Sequence, residues 1–424
     1  MAMSDMTIIR RSLFGRPLAT ITTLVTVSVA VALLVVLLSL RDAANRAFER
    51  GGGNMHMLIS RDASPLVAVL NGVFYAGAPR TAIEWAKYEQ IAQSQPWEFA
   101  IPTVLGDSYR GLPVMATTTD FFTKFEPQIG QPWRTSAGRF FERSFEVVLG
   151  AEAARVSGLG VGSRISLSHG MSGAGTHDHG EYMFDVVGVL APTNTPHDRA
   201  LFIDLVSTWI VHAHDRRMRD LGHDIALTTE ADLETRDRLI TGIYARVMTR
   251  PGAQVTAAIQ SIFDQIRRDG TLTVASPADQ ATRLRQIIGN IDGILLGMAV
   301  VVLISSGVAI MLAMIASTEL RRRQIAVLRV LGASQGRIFN LVMTESSILG
   351  LTGAVAGILI SVVGTQIVGG VLEKRVGVTI DATPSLEWTI VITAGSALLA
   401  ALAGLAPAAA AYRTSVIRNL RPIG

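Results

Sequence analysis

Four long apolar runs dominate the hydrophobic pattern of the chain, at residues 17–40, 293–316, 338–371 and 388–411. At about 1.5 Å of rise per residue, each is long enough to cross about 30 Å of hydrocarbon. The third is longer than a span needs, which predicts tilt or an extension past the bilayer. Ahead of the first run, Met6, Ile8, Ile9 and Leu13 fall on one side of a helical projection and the arginines on the other, the pattern of a short interfacial helix. Pro17 opens the first span, where its missing N–H costs nothing, and Gly51-Gly52-Gly53 ends it.

Between the first and second spans the pattern changes character. Residues 55–60, 145–149, 164–167, 181–190 and 240–249 are short β-rich runs, while 151–156 and 253–268 carry a helical period. The predicted fold is therefore a membrane α-helical protein of four transmembrane helices, with a large extracytoplasmic α+β domain inserted between helices 1 and 2. The expected division is an interfacial helix at 1–16, spans at 17–40, 287–317, 338–372 and 388–411, the α+β domain at 41–286, an inner helix at 318–337, an outer loop at 373–387 and a tail at 412–424. Within the α+β domain, 85–118 and 170–223 read as insertions.

Charge orients this plan. Arg10, Arg11 and Arg16 precede the first span, Arg321, Arg322, Arg323, Arg329 and Arg337 sit between the second and third, and Arg413, Arg418 and Arg421 follow the fourth. The positive-inside rule then places both termini and the 318–337 connection in the cytoplasm. The net charge of +4 does not point to nucleic acid, because no basic stretch is interleaved with aromatics. Arg10-Arg11-Ser12-Leu13-Phe14 faintly resembles a twin-arginine signal, but the apolar run is longer than a signal core and ends at Leu40-Arg41-Asp42 without a cleavage pattern. An uncleaved anchor is the better reading. With no cysteine in the chain, disulfides and thiolate ligands are excluded.

The inner connection reads TELRRRQIAVLRVLGASQGRIF over residues 318–339. Leu320, Val327, Leu328 and Leu331 are expected on one helical face, Glu319 and Arg323 form an i,i+4 pair, Gly332 is a natural stop and Ser334 a cap for the next helix. One reading is that the arginines only fix topology and meet anionic lipid. The wording of the stretch favours another. Arg322-Arg323-Gln324-Ile325-Ala326-Val327-Leu328-Arg329-Val330-Leu331-Gly332-Ala333-Ser334 resembles the R-x-E-I-A-x-L-R-A-L-G-A-S signature of the macrolide-exporter, lipoprotein-release and cell-division class of ABC permeases. Gln324 stands where that class usually has glutamate. Val148-Leu-Gly-Ala-Glu-Ala-Ala154, Leu159-Gly-Val-Gly162, Gly404-Leu-Ala-Pro407 and Ala411-Tyr-Arg413 support the likeness, which covers nearly the whole chain in architecture.

The resemblance implies a bacterial inner-membrane permease, a partner ABC ATPase subunit carrying ATP and magnesium, a second permease copy in a dimer, and a periplasmic adaptor or substrate protein. It also implies mechanotransmission, in which ATP-driven motion is relayed through the spans to the outer domain. Glu319, Arg321, Arg322, Arg323, Gln324, Arg329 and Gly332 would be the ATPase-coupling residues. The only lysines are Lys87, Lys124 and Lys374, none within a Gly-x4-Gly-Lys-[Ser/Thr] phosphate loop, so the chain is expected to be no ATPase itself.

Two further groups carry candidate chemistry. Glu345 lies inside the third span, where a charged side chain must face protein or water, either paired with an arginine or hydroxyl or serving transport. Gly350, Gly353 and Gly357 permit close helix approach. Seven of the eight histidines fall between His169 and His223. His169, His177, Asp178, His179, Glu181 and His197 are candidate ligands for a divalent ion, with His197-Asp198 or His212-Ala213-His214 able to complete the shell and zinc preferred because neither thiolates nor a carboxylate-only cage is present; the opposing reading is a solvated polar hairpin. Three functions compete: export or extraction of an amphiphilic, lipoprotein or periplasmic substrate; a transmembrane regulator that activates an outer partner protein; and a membrane metalloenzyme, against which the lack of a His-Glu-x-x-His pattern counts.

Overall fold

The computed structural model of the chain describes residues 5–15, 17–170, 177–178, 180–222, 225–249, 255–320, 322–376 and 386–413. It divides into two compact units: one of residues 1–44, 287–371 and 380–424, the other of 45–286 and 372–379.

The chain opens with α1 (Asp5–Phe14) and α2 (Pro17–Arg50). The second unit then contributes β1 (Met57–Ser60), α3 (Pro65–Gly72), β2 (Ile83–Glu84), α4 (Trp85–Ser94), β3 (Trp97–Tyr109), β4 (Leu112–Thr117), α5 (Asp120–Thr123), β5 (Thr135–Gly138), β6 (Glu146–Leu149), α6 (Ala151–Ser157), β7 (Arg164–Ile165), β8 (Ser168–His169), β9 (His177–Asp178), β10 (Phe184–Leu190), β11 (Leu201–Asp204), α7 (Leu205–Leu221), β12 (Leu239–Ile240), β13 (Gly242–Val247), α8 (Val255–Arg267) and β14 (Thr273–Ala275). One mixed sheet runs in the order β14-β1-β13-β3-β4-β11-β6-β10-β5, with β7 on β10, and β8 joining β3 to β9. Two neighbour pairs in it, β4 with β11 and β6 with β10, are parallel. A separate two-stranded sheet pairs β2 with β12.

Both faces of the large sheet are buried, and the alternation of side chains along each strand divides them. Met57, Ile59, Val147, Leu149, Leu201, Ile203, Ile243 and Ala245 face one core, completed by Leu205, Trp209 and Ile210 of α7 and by Ile262 and Ile266 of α8. Leu58, Val148, Phe202 and Tyr244 face the other, under Ala68 and Val69 of α3 and Phe121 and Phe122 of α5. Residues 85–118 and 170–223, expected as insertions, instead supply β3, β4, β10 and β11, four inner strands of the sheet. The 181–190 run is legible as a strand, but its place inside the sheet is set by pairing with β6 and β5, partners far away in the chain that local pattern does not reveal.

The other unit holds α9 (Pro277–Leu320), α10 (Arg322–Val330), α11 (Gln335–Val376) and α12 (Leu386–Tyr412). Stretches long and apolar enough to cross a membrane occur at Thr20–Asp42, Leu296–Ala316, Gln335–Val371 and Leu386–Tyr412. Small residues hold these helices together. A Cβ on Gly353 or Gly357 would strike Val27, or the Ser28 carbonyl and Val31, of α2, and one on Gly350 would strike Ala400 of α12. The Ser28 hydroxyl also donates to the Gly353 carbonyl at 3.1 Å. Val25, Ile304, Leu359 and Leu398 are more than 50% exposed along the spans, as lipid-facing positions require.

Candidate functional site

Two places gather the polar groups singled out in the sequence. The first surrounds α10. This helix ends in a Schellman motif: Gly332 sits at φ +95°, its N–H donates to Arg329 O at 3.1 Å, and Ala333 N–H donates to Leu328 O at 3.0 Å. The Ser334 hydroxyl then accepts from Arg337 N–H at 3.2 Å and starts α11. A helix stopped and restarted within five residues holds its faces in a fixed orientation.

Those faces differ from the sequence expectation. Ile325 and Ala326 are buried, whereas Val327, Val330 and Leu331 are 43%, 63% and 77% exposed. The inward stripe is therefore one that runs through Ile325 and Leu328, and the apolar edge at Val327–Leu331 is left uncovered. The reason is tertiary. Ile325 and Leu328 close a cavity of about 80 Å³ with Ile8, Ile9 and Ser12 of α1, Met314 of α9 and Glu345 of α11. Glu319 and Gln324 are exposed and Arg329 is half-buried. Arg321 lies outside the described residues, as do the side chains of Arg322 and Arg323.

Glu345 is buried and accepts a hydrogen bond from the Ser12 hydroxyl. A hydroxyl, one of the two kinds of partner expected for it, is therefore among its contacts. A second tie joins α1 to α11, where Arg337 Nη2 meets Asp5 Oδ1 at 2.6 Å. Ile9 of α1 is buried, while Met6 is 62% exposed.

The second place is a polar group in the α+β unit. Strand β3 shifts register between Leu105 and Ser108 as it pairs with β4, and Gly106 there takes φ +151°. Such a bulge re-aims the side chain it carries. Asp107, inside it, is paired in register with His169 of β8. His169 Nδ1 lies 3.0 Å from Asp107 Oδ1, and His212 Nε2 of α7 approaches the same oxygen at 3.2 Å. The two imidazole rings stand nearly perpendicular, 5.2 Å apart. Burial pushes the Asp107 carboxyl up, yet the two histidines outweigh it and hold it well below the usual carboxylate range. The hydrogen bond to Asp107 in turn raises His169, and Asp215 adds to that rise while Arg219 opposes it. The hairpin is anchored at its base, where Gly170 N–H donates to Gly106 O at 2.9 Å and the Ser108 hydroxyl donates to Gly170 O at 2.5 Å.

The expected ligand set is thus divided. His169 joins a group with Asp107 and His212; the sequence offers His212 as a residue that could complete the shell, but does not offer Asp107. His197 does not belong to this group: it is fully buried in the aromatic core with Phe121, Phe125 and Trp133, its Nδ1 2.6 Å from the Tyr75 hydroxyl. Burial pushes it down to about 3, a neutral imidazole. Glu181 is exposed. His177 stands opposite His169 in the β8–β9 register, with Asp178 opposite Ser168; their side chains, and His179, lie outside the described residues. His214 is buried and meets the Thr228 hydroxyl at 3.0 Å.

Comparison with known proteins places this architecture. The MacB-like periplasmic core domain family matches residues 20–264, more than half of the chain, and the FtsX-like permease C-terminal family matches residues 296–416. The chain belongs to the MacB/FtsX family of ABC transporter permeases. An uncharacterized ABC transporter permease of Methanocaldococcus jannaschii is similar to this permease at 23% identity over 181 residues, 42% of this chain and 45% of that protein. The permease thus spans under half the length of that relative. Among solved structures, the extracellular domain of the noncanonic ABC-type transporter YknZ from Gram-positive bacteria is similar at a TM-score of 0.28 and 7% identity, over 52% of this permease and 99% of that chain. At that level the likeness carries no further argument.

Proposed function

We propose that this permease couples ATP hydrolysis by a separate ATPase subunit to movement of its α+β unit, and so exports or extracts an amphiphilic, lipoprotein or other extracytoplasmic substrate. The observation that carries the reading is the uncovered apolar edge of α10. Val330 and Leu331 are exposed on a helix whose end is fixed by hydrogen bonds and whose other face is closed by Ile325. Each such side chain gains about 1.5–3 kcal/mol when fully buried, so a partner that covered both would gain a large share of a micromolar interface. With arginines around this edge, the docking partner sits on the cytoplasmic side and both termini share that side. Glu319, Gln324 and Arg329 flank the edge and set which ATPase fits. The ties from α1 to α11 at Asp5–Arg337 and Ser12–Glu345 brace the base on which α10 is mounted.

In this reading two permease copies stand on two ATPase subunits. The α+β units face the far side of the membrane, a periplasm in a cell with two membranes, where an adaptor or substrate protein meets them. Purification of the tagged full chain from its own membrane, followed by identification of bound proteins, tests the proposal. An ATP-binding subunit should accompany the wild-type chain, and Leu331→Asp should lower its recovery by about tenfold or more. Absence of any ATP-binding subunit from the wild-type preparation would overturn the reading.

A further inference from the structure

We propose that Asp107, His169 and His212 bind a zinc ion, which clasps the β8–β9 hairpin to the sheet and to α7. Asp107 Oδ1, His169 Nδ1 and His212 Nε2 are the atoms that meet, and one ligand atom from each of the three residues lies within 4.8 Å of the other two. Zinc with bonds of about 2.0–2.2 Å to nitrogen and oxygen holds neighbouring ligand atoms of a tetrahedron roughly 3.3–3.5 Å apart. The two observed edges, 3.0 and 3.2 Å, therefore need to open by only a few tenths of an ångström, and the third lies within 4.8 Å.

Two other histidines are enclosed by the core: His197 meets the Tyr75 hydroxyl and His214 the Thr228 hydroxyl, both neutral groups. His169 and His212 differ on three counts. Both converge on one carboxylate oxygen, they come from separate elements, and they reach solvent, their side chains being 57% and 32% exposed while Asp107 is 7% exposed. A buried carboxylate needs compensation, and a cation placed among the three supplies it to all of them. Two imidazoles and a carboxylate suit zinc better than magnesium or calcium, which prefer all-oxygen shells. The exposed side of His169 leaves a fourth position for water.

Without a metal, β8 is held by two register pairs to β3 and two to β9. A shared ion would join β3, β8 and α7, which are far apart in the chain. The inference is independent of the ATPase reading, since it concerns the α+β unit alone and is read without nucleotide.

The test uses the full-length protein stripped with chelator and titrated with zinc, and separately with cobalt(II), whose visible absorption reports a four-coordinate site. One ion per chain is expected, with affinity reduced more than about tenfold in His212→Ala and in His169→Ala. The His169 change removes a half-exposed side chain and leaves the core intact, so a folding defect in His212→Ala would not spoil the test. The paired variant His177→Ala with His179→Ala should keep the cobalt spectrum. No stoichiometric binding in the parent would overturn the proposal. So would binding that survives in His169→Ala, or that is lost only in the His177 and His179 variant.

Discussion

His197 is the residue whose environment departs furthest from its chemistry in water. Enclosed by Phe121, Phe125 and Trp133, it has been pushed by burial down to about 3 from an ordinary value of 6.5. A group with a depressed folded value takes up its proton first in the unfolded chain. Stability is therefore intact above about pH 6.5 and falls as pH drops toward 3, by about 2 kcal/mol between pH 7 and pH 5 for this one group. Thermal midpoints of the wild-type protein and His197→Gln across that range should diverge, with the flatter profile in the variant; parallel profiles would mean that His197 is already charged in the fold. His197 also shows what sequence could not distinguish. Its place in the histidine-rich stretch made it a ligand candidate, and only the packing of residues far from it in the chain makes it part of the core. The reverse holds for Asp107. It sits 62 residues before His169, in a strand with no local mark of chemistry, and only the bulge at Gly106 delivers it. The one available signal was a lone aspartate after a glycine in an apolar run.

Among elements, the membrane helices were the most legible. Their signal is length and hydropathy, which no tertiary context can reverse, and the glycines at 350, 353 and 357 turned out to lie where α11 meets α2 and α12. Gly357 is the most constrained of them toward α2, since an added Cβ would lie 2.6 Å from the Ser28 carbonyl oxygen, which is backbone and cannot yield. Gly357→Ala should lower the melting temperature in detergent. Gly370→Ala, on the same helix with nothing within 4 Å, should leave it unchanged or raise it through helix propensity, worth about 1 kcal/mol. Equal effects would remove the packing explanation. The face of α10 was less legible. A nine-residue helix carrying apolar side chains on more than one side has no single amphipathic solution, and the choice between Ile325 and Leu331 is made by α1, α9 and α11. The β6–α6 unit, by contrast, lies where its sequence put it, because strand, glycine and helix signals follow one another without ambiguity at Val148–Ala154.

For the whole molecule, the absence of cysteine makes topology open to direct measurement. Val161→Cys, on an exposed turn of the α+β unit, and Gly336→Cys, exposed at the start of α11, each introduce a single thiol. A membrane-impermeant maleimide added to cells with a permeable outer layer should label the first and label the second only after lysis. The opposite pattern would invert the orientation proposed from the arginines. The way the chain enters and leaves the α+β unit bears on what such a protein can transmit. β1 follows α2, β14 precedes α9, and the two strands are antiparallel neighbours with Leu58 opposite Ala275 and Ser60 opposite Thr273. Both tethers thus attach at the same end of one short ladder. Traction shared by the tethers would haul the whole sheet as a single body. Traction that parts them would load the ladder in the peeling direction, where hydrogen bonds yield one after another rather than together, so this junction would act as the mechanical fuse of the molecule.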